Sequence, residues 1–224
     1  MPLEIISSFI DEGKTTIPLY CVVTDFAVHA MWVMKNVTSY FVANEESKRY
    51  MVRHGQPEGQ VKCTGIPIDP VFSQSLSSDE AKARLGLDRN LPAVLILGGG
   101  FGVGPTAQLL GSFQHVGSQC QILVVAGKNQ EMQRNSEAIG KTLRCPVKVF
   151  GFVNNIHELM DASDLIVSKP GGLTSCEVLG STSRWRLSIR YLGRSSATVS
   201  ICLRSALRSG FMISMMPHTR LTSC

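Results

Sequence analysis

From Gly180 to Cys224 the chain contains no lysine, aspartate or glutamate, yet seven arginines (Arg184, Arg186, Arg190, Arg194, Arg204, Arg208, Arg220) and ten serines fall in that stretch. Protein surfaces ordinarily intersperse both signs of charge, so this composition sets the carboxy-terminal stretch apart. The formal net charge of +5 belongs to it alone: removing seven of the 22 basic residues leaves 15 against 17 acidic ones over residues 1–179, a net of −2. Long apolar runs are also missing. No stretch approaches the roughly 18 apolar residues of a spanning helix, and Met1-Pro2-Leu3-Glu4 lacks the basic start and apolar run of a signal peptide. The expected location is cytoplasmic, peripheral where the chain meets a membrane. The seven cysteines (Cys21, Cys63, Cys120, Cys145, Cys176, Cys202, Cys224) are odd in number, scattered, and form no C-x-x-C pair. Reduced thiols are expected, rather than disulfides or a zinc site.

What is present is a globular composition, 44% apolar and 17% charged, long enough for one large core or two small ones. Residues 17–26, IPLYCVVTDF, read as a buried parallel strand. YFVANEESKRYMVRHG reads as a strand followed by a helix that stops at Gly55, and VKCTGIPI as a further strand. Prolines and serines between Gly65 and Ser78 mark a boundary. Ser77 and Glu80 have the spacing of a capping box and start the next helix. Strand and helix then alternate through LPAVLILGGG, a helix after Pro105, QILVVAG, a helix near 130–142, VKVFGF, NNIHELMDA, DLIVSKP and a helix near Leu173. Such alternation predicts an α/β chain with parallel sheets, whose ligands bind beyond the carboxyl ends of the strands.

Three loops at such ends could carry chemistry. GGGFGVGP at 98–105 brings glycine backbone close to a ligand, but the spacing fails the dinucleotide fingerprint: the third glycine would fall on Val103 or Pro105. The next strand ends in Gly127-Lys128-Asn129, without the carboxylate a ribose would need. KPGGLTSCE at 169–177 offers the N–H groups of Leu173, Thr174 and Ser175 to a diphosphate, with Glu177 one turn on and able to accept from ribose hydroxyls. The same spacing also fits a capping box with Thr174 as N-cap and Glu177 as its partner. TDFAVHAMW at 24–32 places Asp25 and His29 after a strand end, as a catalytic acid or base or as structural residues. MWVM, residues 31–34, fits core packing or a lipid contact.

Together, IPLYCVVTDFAVHAMWV, YFVANEESKRYMV, VKCTGIPIDPVF, LILGGGFGVGP and VKVFGFVNNIHELMDASDLIVSKPGGLTSCEVL resemble the diacylglycerol glycosyltransferases: plant monogalactosyldiacylglycerol synthases and bacterial diacylglycerol glucosyltransferases, relatives of MurG. The resemblance implies the GT-B architecture, two Rossmann-like parallel-sheet domains facing a cleft. It divides the chain into residues 1–68, the remaining part of an acceptor domain; a linker at 69–77; and a truncated UDP-sugar-binding domain at 78–179. It further implies inverting, metal-independent transfer of galactose or glucose from UDP-galactose or UDP-glucose to the 3-hydroxyl of diacylglycerol at a membrane surface. UDP-sugar is then a substrate, no cofactor is called for, and no nucleic acid is a partner. By position, Gly99 and Gly100 lie in the cleft loop, the backbone around Phe152 and Val153 meets uracil, and Gly171, Gly172, Leu173 and Thr174 cradle the diphosphate. Glu177 holds the ribose, and Asp25 and His29 line the acceptor side.

Two departures temper the resemblance. Family members carry a further strand and a glycine-rich loop with a histidine ahead of the matched text, and MPLEIISSFIDEG resembles the family's middle, so a fragment without turnover is expected. After Glu177-Val178-Leu179 the family continues with an apolar strand, a proline-rich loop and a Gly-Gln-Glu segment that grips the donor sugar. Codons for TSRWRLSIRYLGRSSATVSI, residues 182–201, can be chosen so that the reading one base out of register is LPMAIVDPIPGQEQRNCEY, which is that segment. Trp185, with a single codon, restricts two of the positions. The expectation is therefore a frameshift near codon 180 and an out-of-frame, disordered tail over 180–224. The competing expectation is a non-catalytic binding protein whose arginine-rich arm takes anionic lipid or nucleic acid. Nucleotide sequencing from codon 175 past the stop separates them: the shifted frame is expected to run on with family-like text, and early stop codons in it would make the tail genuine.

Overall fold

The computed structural model describes residues 2–98, 106–115, 119–168, 171–181 and 188–189. They divide into two compact units, one formed by the described residues of Met1–Asp69 and Gly171–Cys176, the other by those of Pro70–Pro170 and Glu177–Cys224.

The first unit opens with helix α1 (Pro2–Asp11), which the sequence reading did not predict. Its inward residues Leu3, Ile6, Ser7 and Ile10 do follow the i, i+3, i+4, i+7 spacing of a helix face, a signal obscured by Ile5 and Phe9, which point outward. Strands β1 (Tyr20–Val22), β2 (Ser39–Val42) and β3 (Val61–Cys63) form a parallel sheet in that order. Helix α2 (Glu45–Arg53) crosses from β2 to β3, and Asn44 caps it by accepting from Ser47 N at 2.8 Å. The core lies on one face only, where Cys21, Tyr40, Val42 and Val61 meet Leu3 and Met51. The expectation of a buried first strand holds for Cys21 and not for its neighbours: among the described residues β1 pairs with β2 alone, and Tyr20 is 56% and Val22 46% exposed. An apolar run cannot by itself tell a strand covered on both faces from one covered on a single face.

The second unit begins with helix α3 (Ser78–Arg84), which carries the expected capping box of Ser77 and Glu80. It continues through β4 (Ala93–Leu97), α4 (Thr106–Ser112), β5 (Gln121–Val125), α5 (Gln130–Gly140), β6 (Val147–Phe150), α6 (Ile156–Asp161), β7 (Leu165–Val167) and α7 (Gly172–Gly180). A two-residue strand, β8 (Ser188–Ile189), pairs with β7, so two residues of the expected disordered tail take up sheet pairing. The strands run parallel in the order β6-β5-β4-β7-β8. All five residues of β4 and of β5 are buried, as unbroken Val, Ile and Leu runs require in a sheet covered on both faces. Cys120 and Cys145, just ahead of β5 and β6, are buried with their sulfurs 3.5 Å apart. Burial first, and then Cys145, push the Cys120 thiol up to about 12.

At the amino ends of β4 and β7 the carboxylate oxygen Oδ2 of Asp164 accepts from Ala93 N at 2.9 Å and from Lys82 Nζ at 3.1 Å. Lys82 Nζ also donates to Leu91 O at 3.0 Å, and its side chain is almost fully buried. Removing one partner of a buried ion pair strands the other, at a cost of about 3–5 kcal/mol in the buried limit; Asp164 is partly open to water, which lowers the figure. Lys82→Met is expected to destabilise the second unit by about 2–3 kcal/mol in urea unfolding; a loss below 0.5 kcal/mol would show that Asp164 re-solvates without cost.

Candidate functional site

The chain order of the second sheet determines where a candidate site lies. After β4, β5 and β6 build outward on one side, the chain returns to place β7 against the other side of β4. Reversal of this kind opens a crevice beyond the carboxyl ends of the two strands at which the direction changes. The ends are level: Phe150 pairs with Val125, Val125 with Leu97, and Val167 with Ile96. The loop after β4 contains Gly99 and Gly100, which lie outside the described residues. Gly98 has a packing role, since a Cβ there would meet Met132 Cε of α5 at 2.4 Å.

Beyond β6, Phe152 is 64% exposed and Val153 is half-buried. Ala126 N donates to Phe150 O at 2.8 Å, so the β5 and β6 loops leave the sheet together. Lys128 Nζ stands 5.6 Å from the centre of the Phe152 ring, within cation–π range. The sequence reading mentioned Lys128 only for the missing carboxylate beside it. A loop lysine has no periodicity to reveal a role.

Four residues separate Val167 from α7, whose first residue is Gly172. Ser175 N donates to Gly171 O at 3.0 Å, which makes Thr174 a residue of the first helical turn and excludes it as the N-cap. The capping-box reading of Thr174 and Glu177 is thus overturned, and the Glu177 carboxylate is not engaged in capping. Glu177 is half-buried, and burial pushes its carboxyl above the ordinary carboxylate range.

In the first unit, Asp25 and His29 are both exposed in the loop after β1. Phe26 O of that loop accepts from Asn44 Nδ2 at 3.0 Å and Ser47 Oγ at 2.8 Å, which ties it to the start of α2. His29 Nδ1 accepts from Met31 N at 3.2 Å and caps the single turn Ala30–Trp32. Met31 is exposed, whereas Trp32, Val33 and Met34 pack against the core, so core packing accounts for three residues of that apolar run. The same unit includes Gly171, Gly172, Leu173 and Thr174. Gly172 is buried, and a Cβ on it would lie 1.9 Å from Thr24 O and 3.0 Å from Ile66 Cδ1. Only glycine admits so close an approach of backbone to backbone.

Because the folded chain holds the Glu177 proton more tightly than the unfolded chain, the associated stability is present below the unfolded carboxylate pKa and is lost as pH rises through the raised folded value. Glu177→Gln is therefore expected to be more stable than the parent at pH 7 and equal to it below about pH 4. Urea midpoints measured from pH 3 to 8 check this, and parallel curves for the two proteins would refute it.

Residues 1–68 match the monogalactosyldiacylglycerol (MGDG) synthase family, and residues 93–182 match the glycosyltransferase family 28 C-terminal domain. A processive diacylglycerol beta-glucosyltransferase of Bacillus thuringiensis (strain Al Hakam) is 38% identical over 177 residues, covering 79% of this chain and 45% of the relative. The protein of the same description in Bacillus cereus (strain AH820) matches equally. The chain spans about half the length of these curated relatives. Among solved structures, Anabaena HepE in complex with UDP and glucose superimposes with a TM-score of 0.54 at 17% identity, over 82% of this chain and 55% of that one. Acinetobacter baumannii MurG does so with a TM-score of 0.50 at 14% identity, over 77% and 46%. These neighbours share the GT-B glycosyltransferase fold. Residues 1–68 thus belong to the monogalactosyldiacylglycerol synthase family and residues 93–182 to the glycosyltransferase family 28 carboxy-terminal domain, joined in that order in one chain.

Proposed function

We propose that the protein derives from an inverting hexosyltransferase that moves glucose or galactose from a UDP-sugar to the 3-hydroxyl of diacylglycerol at a membrane surface, in glycolipid synthesis. The observation that carries this reading is the start of α7 at Gly172, separated from β7 by four residues and past the carboxyl end of that strand, where the first N–H groups of a helix suit a departing diphosphate. The relatives named for diacylglycerol glucosyl transfer, and the neighbour solved with UDP and glucose, support it.

In this reading the backbone of Phe152 and Val153 pairs with uracil, and Gly99 and Gly100 border the cleft. The N–H groups of Gly171, Gly172, Leu173 and Thr174 receive the diphosphate, and Glu177 accepts from the ribose hydroxyls. Asp25 and His29 are the acceptor-side candidates for proton removal. Glu177 suits its role because its half-buried carboxylate regains hydrogen bonds when a diol arrives, each contributing about 1.5–3 kcal/mol. This reading assigns no residue to the sugar, because an arginine- and serine-rich stretch stands after Gly180 where the resemblance implies a Gly-Gln-Glu segment.

The reading is tested by calorimetric titration of the purified chain with UDP and ADP, together with an assay for glycolipid from UDP-glucose or UDP-galactose and diacylglycerol vesicles. Weak binding selective for UDP and no glycolipid are expected. Equal binding of ADP and UDP, or of neither, would overturn the nucleotide reading, and measurable turnover would overturn the assignment of sugar recognition to the altered segment.

A further inference from the structure

Strand order constrains any ligand that reaches from Phe152 to the helix bearing Glu177. The sequence across the sheet is β6-β5-β4-β7, so such a ligand passes over the carboxyl ends of β5 and β4. With neighbouring strands about 4.8 Å apart, three steps span about 14 Å, a distance suited to an extended nucleoside diphosphate and too long for a base alone. The group that β5 presents along this path is Lys128. It is exposed and makes no ion pair among the described residues. Val125 pairs with Phe150, and Gly127 O lies 3.8 Å from where a Gly151 Cβ would stand, so the loop carrying Lys128 runs beside the loop carrying Phe152.

We infer that Lys128 is a further nucleotide-binding residue, which reads the phosphate of a nucleoside diphosphate whose base packs at Phe152. The inference rests on the UDP reading given above and adds to it a cation outside the glycine-rich cradle. An ammonium 5.6 Å from the Phe152 ring, with no carboxylate partner among the described residues, is held beside the base position by a weak and exchangeable contact. Its flexible four-carbon stem lets the charge move to an arriving phosphate without rearranging the loop. The apolar ring and the charge then serve different parts of one ligand: the ring favours a planar base, and the charge an anion linked to it.

Lys62, 5.8 Å from the Phe41 ring in the first unit, makes the same kind of contact far along the chain from these loops and provides a matched control. Affinities for UDP and for uridine are measured by calorimetry on the full chain and on Lys128→Gln, Lys128→Arg and Lys62→Gln. Lys128→Gln is expected to lose about tenfold in UDP affinity, about 1.4 kcal/mol, and none for uridine. Lys128→Arg should retain most of the UDP affinity, and Lys62→Gln all of it. UDP affinity within twofold of the parent in Lys128→Gln overturns the inference while leaving the UDP reading intact. An equal loss for uridine, or an equal loss in Lys62→Gln, also overturns it, because neither is a phosphate contact made by Lys128. A parent chain that binds neither ligand overturns both the inference and the reading beneath it.

Discussion

The structure of the second unit depends on β4 having a strand on each side. Its five residues are fully enclosed, paired to β5 through Leu97–Val125 and to β7 through Ile96–Val167. In a parallel sheet such pairing leaves no slack, because a one-residue slip would send every buried side chain to the opposite face. Asp164 reinforces the register at the amino ends by accepting from Ala93 N and Lys82 Nζ. The level carboxyl ends follow, and with them the crevice in which Phe152, Lys128 and Glu177 are candidates. The buried ion pair at one end of the strands and the candidate site at the other are two results of one registration.

The parts of the fold that could be read from sequence were those whose side chains encode their own environment. The AVLIL and QILVV runs, read as strands from their place in the strand–helix alternation, are covered on both faces, and Ser77 with Glu80 marks a helix start through a reciprocal hydrogen bond local in sequence. What was misread depends on tertiary surroundings. Whether Tyr20 and Val22 are covered depends on what packs outside β1, and α1 hides its inward stripe because Ile5 and Phe9 are apolar and exposed. The site shows the same division. Gly172 is recognisable in a glycine pair after a strand, yet the partner that demands it, Thr24 O, is about 150 residues away in the chain and no spacing rule relates them. Lys128 gains meaning only from strand order.

Glu177 shows how a single residue can change its reading when a helix start is located. Three residues after a threonine it suits a capping box, but α7 begins two residues before Thr174 and the capping geometry has no room. A half-buried carboxylate without a capping duty is costly to ionise, and burial accounts for its raised proton affinity. Residues that work against stability in this way concentrate where a ligand will later supply the missing partners.

The short strand β8 bears on the origin of the carboxy-terminal text. Ser188 and Ile189 pair with Ile166 and Val167. On the shifted-frame reading, the family's apolar strand, AIV, would be encoded at about this point in the chain. On the side away from β4, β7 offers backbone N–H and C=O groups, which any extended segment without proline can satisfy whatever its side chains. Two residues of pairing therefore require no information in the side chains. A longer strand would, because each further inward residue must be apolar and fit the layer beneath it. On the shifted-frame reading, backbone pairing at β7 would survive a change of frame, whereas the side-chain chemistry of a Gly-Gln-Glu segment, specified base by base, would not.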